Sequence, residues 1–485
     1  MLKFLSSSSS SLARSAATSA AADVSGGSAT SAPKNDVPPR RPPLIITSHN
    51  VNGLGGRAKN DMDLLCHFMK EYQPDVHCVQ ECKLQSAPAA NGSYNQGKIW
   101  DGYRLGKTTP AVAKTYNAVN DLLNRPEFRG YRAVWALSRD PSKRAYAGTA
   151  VFYRKDLFDK PLVTRYLEAG DEDKQSEWND IHGRVLLLEF ETMFVLNTYA
   201  PNNSTNPDMW ARRRAWDARL KHWVAHGTWR SKGKPLVWVG DLNATTDDWD
   251  MDDAKYYRDT VYKTSPQWTD PTKDPMLDDR DKGQPGCSIN EQLRLKEILR
   301  EGGLVDAYRS KHPPPVNAML SWDGSIETAG LGAGGESVAG GKNLCRQKGD
   351  YVEAGKEAWT WRGAAGTDVS SAGRYYGRGM RIDYTLISAS LVPRVVRAEI
   401  LGSGYDRHGF LGSDHCPILL ELCGEGNGLD ATDSSGKKRA AEVSAGILQE
   451  GGSSSSNNNS NKRAKMVTSN QRVLGIGTIT SHFNS

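Results

Sequence analysis

"GFLGSDHCPILLEL", residues 409–422, sets a carboxylate, an imidazole and a thiol side by side and then runs straight into an apolar stretch with the character of a strand. A turn ahead of a strand needs polar residues, and Ser, Asp or Asn would serve equally well. Asp414 and His415 therefore have a purely structural reading, as a turn that opens a strand. Cys416 reads as a small buried hydrophobe, because no second cysteine stands at metal-ligand spacing from it. The remaining chain decides whether Asp414 and His415 do more.

Seven further runs have the same form: "PLIITSHNV" (43–51), "DVHCVQE" (75–81), "GTAVFYR" (148–154), "RVLLLEF" (184–190), "MFVLNTYA" (193–200), "PLVWVGDLN" (235–243) and "RIDYTLIS" (381–388). Short apolar runs bounded by turn residues predict strands, and they alternate with segments of helical period. In residues 206–227, Asn206 caps, Pro207 takes the first turn, and Trp216, Leu220, Trp223 and Val224 share one face. Residues 289–303 form a second helix that ends on a glycine pair, with Leu293, Leu295 and Ile298 as its apolar side. Polar residues gather where the strands end: Asn50 and Asn52, Glu81, Tyr199 and Asn202, Asp241 and Asn243, then Asp383 and the Asp414–His415 pair. In a layered α/β sheet such ends converge on one rim, where loops carry function.

Composition limits the alternatives. Residues 1–43 are mostly Ser, Ala, Gly and Pro, and residues 425–475 are rich in Gly, Ser and Asn with basic clusters. Neither segment holds enough apolar surface to offset chain entropy, so the expectation is disordered tails around a folded body at 44–424. The seven cysteines are scattered without a CxxC pair, which reads as reduced thiols and not as a disulfide frame or zinc site. No apolar run is long enough to span a membrane. The formal net charge of +6 conceals basic runs such as "MWARRRAW" (209–216) and an acidic one, "DDWDMDDAKYYRD" (247–259).

The carboxylates and amides at the strand ends are hard oxygen donors, suited to Mg²⁺ or Mn²⁺ and unsuited to a thiolate-loving metal. A histidine beside carboxylates can be held charged and can donate to a phosphate oxygen. With Tyr199 as a further donor, the set suits metal-assisted attack of water on a phosphodiester. No GxSxG elbow and no GxxxxGK[ST] loop is present.

"SHNVNGL" (48–54), "QPDVHCVQECKL" (73–84), "LNTYAPN" (196–202), "VGDLNAT" (239–245), "AWTW" (358–361), "MRIDYTLIS" (380–388) and "LGSDHCP" (411–417) follow one another as in the exonuclease III type of AP (apurinic/apyrimidinic) endonuclease. Residues 44–424 resemble that branch of the endonuclease/exonuclease/phosphatase superfamily. The resemblance implies a four-layer αββα sandwich that incises DNA on the 5′ side of abasic sites and admits 3′ end trimming. It implies Glu81 as principal metal ligand, with Asn52, Asp414 and Asn50 around it; some relatives carry Asp in place of Asn52. It implies Asp241, helped by Asn243, as activator of the attacking water, and His415, oriented by Asp383, as the phosphate-contacting histidine. Tyr199 and Asn202 match phosphate contacts. Where specific relatives wall the flipped sugar with aromatics, this chain has Ala358, Trp359, Met380 and Ile382. Arg374 and Tyr375, in "SAGRYYGRG" (371–379), are expected to supply a basic, aromatic DNA-facing loop. Insertions near 85–125, 247–285 and 323–356 exceed what that family core needs.

The C-terminal "GIGTITSHFNS" (475–485) resembles a clamp-binding peptide, with Ile479, His482 and Phe483 as its plugs and Ile476 where the usual Gln would stand. "KKR" (437–439) and "KRAK" (462–465) look like nuclear-import clusters, and residues 1–22 have the makeup of an organellar transit peptide. Two rivals to the repair nuclease remain: another phosphatase or phosphodiesterase of the superfamily, and a non-catalytic clamp-binding scaffold.

Overall fold

Period-two burial on both faces of a strand produces near-continuous apolar sequence, and the structure shows where each face goes. This computed structural model describes residues 42–424 apart from 90, 102–109, 168–180, 204–206, 252–253, 261–278, 282, 314–358, 363–378 and 403–406. Fourteen strands appear among the described residues: β1 (Ile45–Asn50), β2 (Val76–Gln80), β3 (Ser86–Pro88), β4 (Tyr94–Ile99), β5 (Tyr131–Ala136), β6 (Thr149–Arg154), β7 (Leu162–Thr164), β8 (Val185–Glu189), β9 (Phe194–Tyr199), β10 (Leu236–Asp241), β11 (Leu304–Asp306), β12 (Asp383–Ser388), β13 (Val395–Ile400) and β14 (Ile418–Leu422). The eight expected strands are all present.

They form two six-stranded sheets, ordered β13-β14-β1-β2-β6-β5 and β11-β12-β10-β9-β8-β7, plus the β3-β4 hairpin. In β8, Leu186 and Leu188 face the core between the sheets, while Val185 and Leu187 face outward under helices. In β10, Val237 and Val239 point inward and Leu236 and Trp238 outward. The helix Pro207–His226 covers that outer face with Trp216, Leu220, Trp223 and Val224, joined by Leu295 and Ile298 of the helix Ile289–Gly302. On the other sheet, Leu54, Leu65, Phe68, Val119 and Leu122 of helices Leu54–Asn60, Met62–Tyr72 and Pro110–Leu123 cover Ala150 and Phe152. Helix, sheet, sheet, helix is the expected αββα order.

One expectation fails locally: Leu293 is 42% exposed. Residues 293 and 295 are two positions apart, so a helix turns them to different sides; Leu295 and Ile298, three apart, share the buried face. The helix is otherwise closed as its sequence demands, by a Ser288–Glu291 capping box and a left-handed Gly303. The described residues of the 85–125 insertion include the β3-β4 hairpin and the Pro110–Leu123 helix.

Three acids of the acidic run are paired. Asp247 pairs with Lys296 at 2.6 Å, Asp248 accepts from Arg258 Nη1 at 2.8 Å, and buried Asp250 pairs with Arg381 at 2.8 Å and with Arg309. These acids meet the protein's own cations, so they present no unpaired acidic face to a polyanion. Among the described residues, cysteines 66, 78, 82, 287, 416 and 423 form no disulfide, and all but Cys423 are buried. Among the described residues no helix is long and apolar enough to cross a membrane.

Candidate active site

Strand register builds the site. β10 runs parallel to β9 with Asp241 opposite Tyr199, and antiparallel to β12 with Asp241 opposite Asp383. One row of three strands therefore carries three of the expected residues. In the facing sheet β1 is parallel to β2, with Asn50 opposite Gln80, and antiparallel to β14. This brings Asn50, Glu81 and the His415 turn to the same rim. The two sheets are pinned together just below it: Gln80 Nε2 donates to Asn197 Oδ1 at 2.7 Å, and Asn197 Nδ2 donates back across the interface to Val79 O at 3.1 Å.

The backbone is strained where the side chains matter. Asn52, Glu81 and Asn243 all have positive φ, between 46° and 53°, a conformation that costs a non-glycine residue free energy and gathers at functional sites. Gly240, at φ 139°, is the converse: a Cβ there would collide with the Thr198 carbonyl of β9. Only glycine lets the two strands close up beside Asp241.

His415 Nδ1 lies 2.8 Å from Asp383 Oδ2, and its Nε2 is 3.9 Å from Asp241 Oδ2, beyond hydrogen-bond distance. Burial works against the imidazolium, but the Asp383 carboxylate and its hydrogen bond, with Asp241 and Asp414 behind, push His415 up to about 10. Asp241 is buried. That burial, reinforced by Asp383 and moderated by His415, raises its carboxyl to about 7. Asn50 Nδ2 donates to Asp241 Oδ2 and the Asn243 backbone N–H to Oδ1, each at 2.8 Å.

Around Glu81, the Tyr199 hydroxyl donates to Oε1 at 2.6 Å and Lys83 Nζ stands 2.6 Å from Oε2. Burial opposes the charge, yet Lys83 and then Tyr199 hold Glu81 below the ordinary carboxylate value. Burial and Glu81 together keep the Tyr199 phenol protonated, well above its ordinary pKa. Asn52 Nδ2 donates to Asp414 Oδ1 at 3.0 Å, and its Oδ1 accepts from Lys83.

Two donor sets could attract a cation. Asp241, Asp383 and His415 offer atoms within 4.8 Å of one another, but a histidine held protonated has no lone pair to give. Glu81, Asn52 and Asp414 fit better: their oxygens are hard donors, and two of them already converge on the Lys83 ammonium. Asn50, grouped with the metal ligands in the sequence, turns its amide nitrogen to Asp241, while its oxygen accepts from the Asn52 backbone N–H at 3.0 Å. It organises the acids.

Asn202 is exposed beside Asn243, its Nδ2 donating to Asn243 Oδ1 at 3.4 Å. Trp359 and Met380, expected to face DNA, are 8% and 2% exposed. Met380 bridges to Met251 and Trp361 and packs with Ile382 and Tyr257, so a segment of the 247–285 insertion covers it. Arg374, Tyr375 and Ala358 lie outside the described residues, as do Ile479, His482 and Phe483.

Three residues were missed in the sequence. Trp361 Nε1 donates to Asp414 Oδ2 at 3.3 Å. The buried Arg184 guanidinium lies 4.6 Å from the Tyr199 ring and 5.3 Å from that of Tyr146, supporting the phenol from below. Lys83 was signalled only by an ammonium two positions past a carboxylate in "ECK".

The chain is similar to known proteins. The sequence description of the Endonuclease/Exonuclease/phosphatase family matches residues 47–415. A DNA-(apurinic or apyrimidinic site) endonuclease of Arabidopsis thaliana is 31% identical over 375 residues, covering 77% of this chain and 83% of that protein. An exodeoxyribonuclease of Bacillus subtilis is 25% identical over 375 residues, covering 77% of this chain and 98% of its own. A solved AP endonuclease from Leishmania major covers 78% of this chain and 87% of that one at 18% identity, with a TM-score of 0.48. With the family description spanning the strand rows and the His415 turn, this chain belongs to the endonuclease/exonuclease/phosphatase family.

Proposed function

We propose that the chain is a metal-dependent DNA repair nuclease that hydrolyses the phosphodiester on the 5′ side of abasic sites, with 3′-to-5′ end trimming as a second use of the same centre. The observation that carries this reading is the pairing of opposites at one rim: a carboxyl poised near neutrality, Asp241, 3.9 Å from an imidazole held charged, His415. A base and a cationic donor side by side suit attack of water on a phosphodiester.

Asp241, clamped by Asn50 and the Asn243 backbone, takes the proton of the attacking water. His415 donates from Nε2 to a non-bridging phosphate oxygen, while Asp383 holds Nδ1 and the charge; as the water oxygen bonds to phosphorus the P–O3′ bond breaks, and the leaving 3′ oxygen takes a proton from solvent. Tyr199 and Asn202 flank the phosphate from β9 and its following loop. Glu81, Asn52 and Asp414 would hold Mg²⁺ or Mn²⁺, which when bound polarises the phosphoryl oxygen and offsets its developing charge. Trp361 and Arg184 keep Asp414 and Tyr199 in place.

The test is a duplex with a single tetrahydrofuran abasic analogue, incubated with and without Mg²⁺. One nick, 5′ of the analogue and abolished by chelation, is the expected result. An intact duplex, together with hydrolysis of an inositol phosphate, a phospholipid or RNA, would assign the chain to another activity of the superfamily.

The tails extend this reading. Ile479, His482 and Phe483 plug a sliding clamp; the basic clusters at 437–439 and 462–465 direct the chain to the nucleus, and residues 1–22 direct a fraction to mitochondria. What supports this is sequence character alone. A peptide of residues 470–485 should bind the clamp at micromolar strength, and truncation after Lys465 should leave incision of short duplexes unchanged. Absence of peptide binding by calorimetry would remove the clamp.

A further inference from the structure

Lys83 has a left-handed backbone, φ 48°, and its ammonium is 2.6 Å from Glu81 Oε2 and 2.6 Å from Asn52 Oδ1. Those oxygens come from the ends of β2 and β1, and they are two of the three donor residues assigned above to the divalent cation. The third, Asp414, is tied to the same corner through Asn52 Nδ2 at 3.0 Å. An ammonium is a compact cation with three donors and no acceptor, so it engages the same lone pairs that a hard divalent ion requires. Held on the same pair of oxygens, the two cations repel each other and compete.

We propose that Lys83 is a tethered competitor for the divalent-cation corner. The ammonium neutralises Glu81 and orients Asn52 ahead of the metal, and it must move out for the metal to bind. It has room to move: the side chain is 40% exposed, and a Cβ placed on neighbouring Gly53 would only just touch its Cδ, at 3.8 Å. A flexible four-carbon stem can swing without disturbing the backbone. A displaced ammonium can exchange a carboxylate for a phosphate oxygen of the substrate. Metal and DNA then assist one another's binding, because each supplies what the other takes from Lys83.

The inference rests on the metal reading of this corner, and its test separates the two. Mn²⁺ is titrated into DNA-free protein and followed by calorimetry and by the electron paramagnetic resonance of free Mn²⁺, for wild type, Lys83→Met, Lys83→Arg and Glu81→Gln. Lys83→Met should bind Mn²⁺ about tenfold more tightly than wild type, the order expected for removing one like charge at a partly exposed site. Lys83→Arg should stay within a few-fold of wild type, and Glu81→Gln should lose the site. Thermal melts should show all three variants folded. Unchanged or weaker Mn²⁺ binding by Lys83→Met would overturn the competitor role, since a lysine that merely props Glu81 in place would strengthen metal binding by its presence. Wild type that binds no Mn²⁺ would overturn the metal corner itself.

Discussion

Asp383→Asn tests what keeps His415 charged. His49 and His77 supply the internal reference: both are buried, His49 on β1, which pairs with the strand that follows His415, and His77 on β2 one strand further, and burial, the leading cause in both, pushes each down to about 3. His415 is buried too but is pushed up to about 10. The difference is the carboxylate 2.8 Å from Nδ1, with two more acids behind it. Asparagine keeps the shape and can still accept from Nδ1, so the variant removes the charge and little else. A hydrogen bond to a charged group contributes about 1.5–3 kcal/mol, which at about 1.4 kcal/mol per tenfold is a fall of roughly 10- to 150-fold in single-turnover incision. The direction in pH follows from the raised value. The folded imidazolium persists from below its unfolded pKa of 6.5 up to about 10, and its contribution to stability and rate is lost as pH rises through that value. In Asp383→Asn the alkaline limb should therefore move toward neutrality. Single-turnover rates on the abasic-analogue duplex from about pH 6 to about pH 10.5, with nitrogen-15 NMR of the imidazole, measure both effects. An unmoved alkaline limb, or an imidazole still charged well above neutrality in the variant, would refute the assignment of Asp383 as the holder of the charge.

Glu81→Gln should cost roughly a thousandfold or more in incision rate in Mg²⁺ with little change in melting; wild-type turnover in Mg²⁺ would remove Glu81 from the centre. Gly240→Ala should destabilise by about 1–3 kcal/mol in urea unfolding and lose incision as well, because the added methyl drives Asp241 away from Thr198 and Tyr199; a variant of unchanged stability would show that the close strand approach is not required. Arg381→Met leaves buried Asp250 with part of its charge uncompensated and should cost about 3–5 kcal/mol, part of which returns when Asp250→Asn is added; full additivity of the two would deny that they act as one network.

What could be read directly from the sequence was whatever local chemistry determines. β8, β9 and β10 announced themselves because burial on both faces gives each a short apolar run, and the Ile289–Gly302 helix carries its own caps. The helix Leu54–Asn60 did not, since "GLGG" reads as a loop. Gly55 is there because a side chain would run into Thr115 of the Pro110–Leu123 helix, a contact sixty residues away in the chain. β13, "VVRAEI", was hidden by exposed Val396 and Arg397 at an edge.

The site divides along the same line. Residue types that suit phosphodiester hydrolysis are visible at strand ends, but what each of them does is assigned by partners from other strands. Asp241 and Asp250 make the point: both are buried aspartates, nine residues apart. Burial alone would raise both. Beside Asp250 stand the guanidinium groups of Arg381 and Arg309, which reverse the direction and hold it below the ordinary value, an anchor for the loop entering β12. Beside Asp241 stands another carboxylate, Asp383, which adds to burial, so Asp241 remains near neutrality where a base can both lose and regain a proton. Arg381 and Asp383 are two residues apart, a spacing that would set both on one face of a regular strand, but Arg381 lies ahead of β12 (Asp383–Ser388) and outside its ladder, where its guanidinium meets Asp250 at 2.8 Å. The change from irregular backbone to strand at the entry to β12 thus sends the guanidinium to one aspartate and the carboxylate to the other, making the first structural and the second reactive.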